Sequence, residues 1–514
     1  MTDTVTNAAV NVVAAPDGKA VRALAAAPVG LAAFVVILVL AAFAVRLGLV
    51  ADDTLRLWAG ASTAADGEVP IGRIVAAYPT LPFTITTLVA WIAPADAPAP
   101  ALVAAALLAV FAVSCFLLFR KAGLPLVAVT VMTILLAFHP TLLRAVVAGP
   151  GDMFLAVFLL MLCLALYDLR ARSDTSEVMH VGIALMALAF SHPMGAAIAF
   201  AIIPFLAFVV RSGLVANSAF NVTVALVFPT FFAIAAFSYV AWVFPGDGWT
   251  FFAAPSQSLA MWTASVERLI GDRFFAIPAL EACVAMALAL VVASPAAVVM
   301  LIIVRRRRPL VVPGAVFVAA VLAATAISVL SGLFGDPAAM VVAAPVLSAA
   351  VVTRIPVARE RLMLVITLLT FGWFGGFWSL ALADPVTVSA LRANFPPSAN
   401  SARTAALAAG GASAGHDGVL VDVGNSPAFV LGRGSAAGLL GPQSEAFALT
   451  LLFARIDTPF VAVPDPLSPA GANDALDKAF PLLFSNGLPG YHVIYQNNTW
   501  RLFERLNNGM VRRR

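Results

Sequence analysis

The stretch VGLAAFVVILVLAAFAVRLGLV, from Val29 to Val50, is followed directly by Ala51, Asp52 and Asp53. It is apolar throughout except for Arg46, and it is long enough to cross a bilayer as a helix, which takes about 20 residues. The stretch therefore predicts a first membrane span. Asp52 and Asp53 are then expected at the membrane surface, where this span ends.

The composition of the whole chain agrees with a membrane protein. Of its 514 residues 62% are hydrophobic and only 11% are charged, whereas about one quarter of a soluble domain is charged. The mean hydropathy is +0.99. The net charge of +4 comes from short basic clusters between apolar runs, a pattern of membrane topology and not of nucleic-acid binding. We therefore expect lipid as the main solvent and no nucleic-acid partner.

Similar apolar runs recur along the chain and predict about eleven spans. They cover residues 29–50, 101–119, 124–140, 152–168, 178–191, 194–210, 220–243, 279–304, 310–332, 337–352 and 361–383. The sequence thus predicts an all-α polytopic membrane domain over 29–383, preceded by a cytoplasmic tail over 1–28. The runs 178–191 and 194–210 are short and flank Ser191-His192-Pro193. This indicates either a tight helical hairpin or a broken helix.

The basic residues predict the orientation of the spans, because Lys and Arg in short loops are retained on the cytoplasmic side. They fall in alternate loops: Arg120, Lys121, Arg170, Arg172, Arg211, Arg305 to Arg308, Arg354, Arg359 and Arg361. An odd number of spans then places the N-terminus inside and the C-terminus outside. We expect a multi-pass protein of a bacterial inner membrane, with external loops over 51–100, 139–151 and 245–278.

Residues 384–514 differ in character from the spans. Strand-like runs at Val419–Val423, Phe460–Val463 and Tyr491–Tyr495 alternate with helical stretches over 444–454 and 473–483. The end of the chain, with Asn497-Asn498 between two apolar segments, is typical of a hairpin. The sequence predicts a small α/β periplasmic domain. Its Asp417, Asp422, Asp457 and Asp465 are expected at turns or strand ends, without a catalytic or metal-binding set.

Asp52 and Asp53 are the first candidates for chemistry. Adjacent carboxylates repel each other and are costly near a low dielectric, so the pair suggests a metal, a cationic partner or a proton-accepting role. A solvated loop start explains the same pair equally well. Residue type alone leaves both interpretations open.

The surrounding pattern resembles the membrane glycosyltransferases of the GT-C fold, which include the lipid A aminoarabinose transferases and the protein O-mannosyltransferases. The residues that carry the resemblance are Asp52-Asp53, the stretch Leu55 to Ala65, Gly67 and the segment Tyr78-Pro79-Thr80-Leu81-Pro82. It covers the first seven spans best. A GT-C enzyme takes a sugar from a polyprenyl-phosphate donor and transfers it to an acceptor at the outer membrane surface, here an envelope glycan or lipid.

The resemblance implies roles for further residues. Asp53 or Asp52 would act as the general base that deprotonates the acceptor hydroxyl, and the sequence does not decide between them. The departing phosphate needs cationic donors, for which Arg is well suited. The predicted donor-phosphate or substrate contacts are Arg56, Arg73, His139, Arg144, Asp152, His192, Arg268 and Arg273.

Several of these candidates have structural alternatives. Asp152, in Gly151-Asp152 before an apolar run, is better explained as a helix N-cap. His139 and Arg144 also suit an interface anchor, and His192 suits a hydrogen bond at a helix break. No cofactor follows from the sequence, although a divalent metal ion bridging Asp52 and Asp53 is one interpretation of the pair.

Two other classes of protein compete with the enzyme. A transporter or flippase of envelope precursors would place ionisable residues near the bilayer midplane along broken helices, whereas the charges here cluster at the predicted external edge. A non-catalytic subunit of an envelope complex would use its outer domain for protein contacts. The residues do not separate the last class from an enzyme, because a fold does not determine a function.

Overall fold

The computed structural model describes residues 18–46, 50–94, 97–172, 175–210, 219–244, 277–356, 359–383, 402–442, 444–468 and 470–506. Up to residue 383 these residues are almost entirely helical. The helices are α1 (Gly18–Arg46), α2 (Asp52–Ala65), α3 (Ile71–Val75), α4 (Thr80–Ile92), α5 (Ala99–Lys121), α6 (Leu126–Ala137), α7 (Pro140–Ala148), α8 (Pro150–Arg172), α9 (Thr175–Ser191), α10 (Pro193–Ala201), α11 (Ile203–Val209), α12 (Ala219–Val243), α13 (Pro278–Ala293), α14 (Pro295–Ile303), α15 (Arg308–Ser331), α16 (Ala343–Arg354) and α17 (Leu362–Ala383). A 3-10 turn over Pro337–Val342 leads into α16.

Seven of the described helices are long and apolar enough to cross a membrane, or nine if each of two bent pairs is one span. The predicted count of eleven is therefore confirmed only in part. Every predicted run is mainly helical in its described residues, but α9 has only 17 residues, and the run 194–210 is divided at Ile202 into α10 and α11. Pro204, at the start of α11, lacks the N–H that a continuous helix needs.

The two bent pairs also break at prolines. α6 and α7 meet at 48° around His139-Pro140, and α13 and α14 meet at 86° around Ser294-Pro295. A residue before proline is pushed out of the helical conformation, which explains both positions. The segment 139–151, predicted as a loop, is instead the helix α7 followed by a turn at Gly149, whose φ is +117°.

The apolar core lies around α8 and the segment Pro337–Arg354, whose side chains are mostly buried inside the bundle. α1, α12 and α17 are peripheral, and they present large apolar side chains outward, such as Leu31, Phe232 and Phe371. In water these exposed faces would be unfavourable, whereas in a bilayer they contact acyl chains. The helical domain is thus that of a multi-pass membrane protein.

The two ends of the bundle differ in chemistry. At one end, which we call the basic end, Arg354 forms an ion pair with Asp168 at 2.6 Å, and Arg170 donates to the carbonyl of Val209. At the other end, the α2 end, α2 packs against the turn between α7 and α8. Asp152 lies in the first turn of α8 and Asp168 lies four residues before its end, so these two residues are about 24 Å apart along the helix.

The C-terminal domain contains a five-stranded sheet with the order β2-β1-β3-β5-β4. The strands are β1 (Val419–Leu420), β2 (Leu439–Leu440), β3 (Phe460–Pro464), β4 (Tyr491–Gln496) and β5 (Trp500–Arg505), and the helices are α18 (Ala402–Ala412), α19 (Pro427–Arg433), α20 (Glu445–Phe453), α21 (Ala475–Ala479) and α22 (Leu483–Asn486). β1 is parallel to β2 and β3, whereas β5 is antiparallel to β3 and β4.

Sequence patterns identified several of these elements. The hairpin of β4 and β5 is confirmed, with the Asn497 side chain accepting from the backbone of Thr499 and Trp500 in its turn. α20 is confirmed, with Ser444 as its N-cap. The predicted strand 419–423 is shorter, because Asp422 turns the chain away from the sheet after Val421. The predicted helix 473–483 divides into α21 and the start of α22.

Candidate functional site

Asp52 and Asp53 are the first two residues of α2, not residues of a loop. Carboxylates in the first turn of a helix interact favourably with the partial positive charge of the free N–H groups there. Both side chains are largely in solvent, with 79% of Asp52 and 93% of Asp53 exposed. The pair can therefore stabilise the start of α2, and both carboxylates remain accessible to a ligand.

The two carboxylates have different partners. Oδ1 of Asp52 lies 2.7 Å from a guanidinium nitrogen of Arg403, which belongs to α18 of the C-terminal domain. Oδ1 of Asp53 lies 3.6 Å from Arg56, one turn further along α2. Arg403 was not among the predicted site residues, and no local pattern could have revealed it, since it is 351 positions from Asp52.

Thr54 holds the start of α2 against the helical bundle. Its hydroxyl donates to the carbonyl of Ala148, the last residue of α7. Gly149 follows with a positive φ, and a side chain there would collide with the Thr54 hydroxyl. The acidic pair is consequently anchored at the turn that leads into α8.

A buried group of three ionisable side chains lies just beyond this turn. Arg144 of α7 binds one oxygen of Asp152, and His192 Nε2 lies 3.1 Å from the other. Only 10% of the Arg144 and Asp152 side chains is exposed. His192 Nδ1 accepts a hydrogen bond from the backbone N–H of Met194 at 3.0 Å. The ring proton is therefore on Nε2, which donates a hydrogen bond to Asp152.

This arrangement corrects the prediction for Asp152. The residue is not an N-cap, because α8 begins two residues earlier, at Pro150. His192 is itself the N-cap of α10, as expected for a histidine at a helix break, but it also binds Asp152. We call Arg144, Asp152 and His192 the buried triad. Three residues predicted separately thus belong to one group.

His139 has a different environment. It is 2% exposed and caps α7, with Nδ1 accepting from Thr141. Nε2 lies 3.1 Å from the carbonyl oxygen of Gly372 and 3.3 Å from that of Ala293. Both ring nitrogens are used within the protein, so His139 ties α7 to α13 and α17 and does not face the acidic pair.

Tyr78, part of the Tyr-Pro-x-Leu-Pro segment, also has a structural contact. Its hydroxyl donates to the carbonyl of Ala189 in α9 at 3.0 Å. Burial raises the pKa of Tyr78 above its ordinary range, so the phenol stays protonated and remains a donor. The segment thereby fixes the start of α4 against α9.

Part of the predicted site cannot be placed. Arg268, Arg273 and most of the loop 245–278 lie outside the described residues, and so does the side chain of Arg73. Within the described part of the chain, no three His, Cys, Asp or Glu side chains are gathered as ligands of a metal ion.

The C-terminal domain is fastened to α2 by a second set of contacts. Asp66, at the end of α2, accepts from the N–H of Ala436 at 2.6 Å and from the hydroxyl of Ser435 at 3.0 Å. Glu68 accepts from the N–H of Gly438 at 3.3 Å. Ala59, halfway along α2, packs into the apolar core of the domain. The domain therefore lies at the α2 end of the bundle.

An apolar crevice lies on the other side of α2, between α1, α5 and α7. Trp58 of α2 lines it together with Ala41, Pro98 and Val146. Its walls are almost entirely hydrocarbon, and it begins one turn from the acidic pair. The α2 end thus combines exposed carboxylates, arginines and an apolar surface within a short distance.

Fold and site together define a multi-pass membrane protein whose small α/β domain is docked on a helix that carries an acidic pair. The sequence matches no known family model and no curated protein.

Proposed function

We propose that the protein is a GT-C-like membrane glycosyltransferase that transfers a sugar from a polyprenyl-phosphate donor to an envelope glycan or lipid. The observation that carries the proposal is the position of Asp52 and Asp53: they follow the first span, remain exposed, and have arginines from two domains beside them. This reaction needs a carboxylate that accepts a proton and cationic side chains that bind the leaving phosphate.

In the proposed reaction the acceptor hydroxyl attacks the anomeric carbon, its proton passes to a carboxylate, and the bond to the lipid phosphate breaks. Asp53 is the better base, because Asp52 is held by Arg403 at 2.7 Å whereas the Arg56 contact of Asp53 is longer. Arg56 and Arg403 are the partly exposed cations beside the pair, so we assign the leaving phosphate to them. Arg144 is paired with Asp152 and holds α7 against α8, so we do not assign the phosphate to it.

The side chains that line the crevice beside Trp58 are apolar, as a surface that contacts a lipid tail must be. A polyprenyl chain stays in the hydrocarbon region, so the enzyme must bind its phosphate at the membrane boundary. In the proposed arrangement α2 lies at this boundary, because it follows α1. The C-terminal domain lies above the same helix and would support or select the acceptor.

The proposed location is a bacterial inner membrane, with the basic end in the cytoplasm and the α2 end in the periplasm. The support is the chemistry of the two ends: Arg170 and Arg354 lie at one, and the docked domain lies at the other. Retention of basic loops in the cytoplasm gives the direction.

The decisive experiment is sugar transfer by purified full-length protein in nanodiscs, with a panel of polyprenyl-phosphate sugars. We expect Asp53→Asn to reduce turnover by about 100-fold or more with little change in donor binding, because Asn cannot accept the proton. We expect Asp52→Asn to be less damaging. Repeating the assay with EDTA and added divalent ions tests a bridging metal, which would instead weaken donor binding in both variants.

Asp66→Asn is the matched control, since it changes a carboxylate of the same segment at the domain contact. Transfer by the Asp52→Asn, Asp53→Asn double variant at the wild-type rate would contradict the proposal.

A second candidate, a non-catalytic subunit of an envelope complex, is favoured by one observation. Asp52, Asp66 and Glu68 all hold the C-terminal domain, so the acidic residues of this segment have a docking role. If docking were their whole purpose, the wild type would transfer no sugar, and Asp52→Asn and Asp66→Asn would loosen the domain whereas Asp53→Asn would not. The same assay therefore separates the two candidates.

A further inference from the structure

The outer face of α20 is apolar and exposed. Phe447 of this helix is buried in the core of the C-terminal domain. The face away from that core carries a stripe of exposed apolar residues at helical spacing, which we call the α20 stripe: Ala448, Leu449, Leu452 and Phe453. Leu452 is 74% exposed and Phe453 is 68% exposed. Neighbouring large apolar side chains on the surface of a soluble domain mark an interaction surface.

The sheet separates the α20 stripe from α2. Successive residues of a strand point to opposite faces of a sheet, so the domain has two apolar cores. Ala462 of β3 belongs to the core that contains Ala59 of α2 together with residues of α18 and α19. Its neighbour Val461 belongs to the core that contains Phe447 of α20. α20 therefore covers the face opposite to α2, which favours a protein partner over lipid for its stripe.

Opposite charges mark the two ends of the α20 stripe. Glu445 begins the helix and is exposed. Arg455 follows the end of the helix by two residues, and 73% of its side chain is exposed. Asp457 lies 2.9 Å from Arg455 and 3.9 Å from Arg505. Because these two guanidinium groups share one carboxylate, this end keeps a net positive charge.

The α20 stripe is complementary to a second copy of itself. In a two-fold pair both chains use the same surface, and helices related by an axis perpendicular to them run antiparallel. An axis at the level of Thr450 places Glu445 beside Arg455 of the second copy, because these residues lie five positions before and after it. Leu449 and Leu452 lie within two positions of this axis and meet their counterparts. A parallel pair would instead bring like charges together.

We propose that the α20 stripe binds a second copy of this chain through an antiparallel contact between the two α20 helices. One short helix from each chain buries less than a standard interface, which is about 1,600 Å². Copies embedded in one membrane share a plane and an orientation, and this raises their effective concentration as a tether does. The contact does not depend on the acidic pair of α2 or on the proposed transferase activity.

The test is disulfide crosslinking of the full-length chain in native membranes, with Cys115, Cys163 and Cys283 replaced by Ala. Leu449→Cys places a thiol beside the two-fold axis, so we expect mild oxidation to give a product of twice the chain mass on a non-reducing gel. Leu407→Cys is the matched control. Leu407 is about as exposed as Leu449, but it belongs to α18 on the opposite face of the sheet, so this variant should stay monomeric.

Charge exchange tests the antiparallel arrangement. In the Leu449→Cys chain, Arg455→Glu and Glu445→Arg should each lower the yield of crosslinked dimer about 10-fold or more, because like charges then meet. The two substitutions together should restore the yield, since the ends are again opposite in charge. Leu452→Glu should abolish the dimer. All these side chains are exposed, so the Tm of each variant in detergent should equal that of its parent.

A Leu449→Cys chain that stays monomeric would overturn the proposal, and so would a combined charge variant that does not recover. A crosslinked product of any other mass would show that a different protein covers the α20 stripe. Protection of Leu449→Cys from an impermeant maleimide without crosslinking would assign the stripe to the membrane. Either result would remove the second copy from this surface.

Discussion

At the scale of single residues, the carboxylates of the α2 end divide into two kinds. Asp52 and Asp53 are exposed and lightly paired, whereas Asp152 is buried, with the Arg144 guanidinium at one oxygen and the Nε2–H of His192 at the other. A buried charge is tolerated only while its partners remain. The first kind is free to meet a ligand, and the second holds helices together.

Replacing Asp152 should therefore destabilise the bundle. Asp152→Asn leaves the Arg144 guanidinium buried without its anion, and we expect a loss of about 3–5 kcal/mol of unfolding free energy. Asp168→Asn, at the other end of α8, is the control and should cost less, because that ion pair is more exposed. Thermal unfolding in detergent measures both. Equal Tm values for Asp152→Asn and wild type would show that the triad contributes nothing to stability.

At the scale of elements, α2 connects the two domains. Its first turn binds Arg403, its middle packs against the core of the C-terminal domain, and Asp66 follows its last turn with two contacts to the segment before β2. A helix of 14 residues thus serves as the platform on which the domain rests.

Asp66→Ala should loosen this platform. It removes the acceptor of two hydrogen bonds, one of them from the backbone of Ala436, and we expect a loss of about 1–3 kcal/mol in docking. Hydrogen exchange measured by mass spectrometry should become faster in α19 and in residues 434–438. Glu68→Gln, with one longer contact, should have a smaller effect. Unchanged exchange in Asp66→Ala would mean that the contacts of Asp52, Ala59 and Glu68 hold the domain without Asp66.

α21 makes the C-terminal domain sensitive to pH. Burial raises the pKa values of Asp474 and Asp477 in the folded state, to about 6 and about 7, so the folded domain binds more protons than the unfolded chain. Their contribution is most favourable below about pH 4 and is lost as pH rises to about 7. We expect this to lower the free energy of unfolding by about 2–4 kcal/mol across that range.

The measurement is Tm against pH for wild type and Asp477→Asn. The variant should lose much of the decrease between about pH 4 and pH 7, because Asn carries no titrating group. Parallel curves for the two proteins would show that the carboxylates of α21 do not titrate in this range.

At the scale of the whole molecule, the helices have one basic end and one end that bears the docked domain. We expect an impermeant maleimide to label Asp417→Cys from outside intact cells and to leave Arg306→Cys unlabelled until the cells are opened. Both single cysteines are placed in a background with Cys115, Cys163 and Cys283 replaced by Ala. Outside labelling of Arg306→Cys would reverse the orientation.

Local sequence patterns were sufficient for the class of protein, the positions of its apolar helices and the β4-β5 hairpin, because hydropathy and turn preference are properties of short windows. The same patterns predicted eleven spans, of which seven to nine are confirmed in the described residues, because a hydropathy window does not register the breaks at Pro140, Pro204 and Pro295. They also placed Asp52 and Asp53 at the end of the first span.

Only the tertiary structure decided what the charged groups do. It paired Asp52 with Arg403 across 351 positions, turned Asp152 from an expected N-cap into the centre of the buried triad, and buried Asp474 and Asp477 in the C-terminal domain. The physical reason is that the environment of a charge is set by whichever chain segments surround it. Those segments come together only when the helices and the sheet have packed.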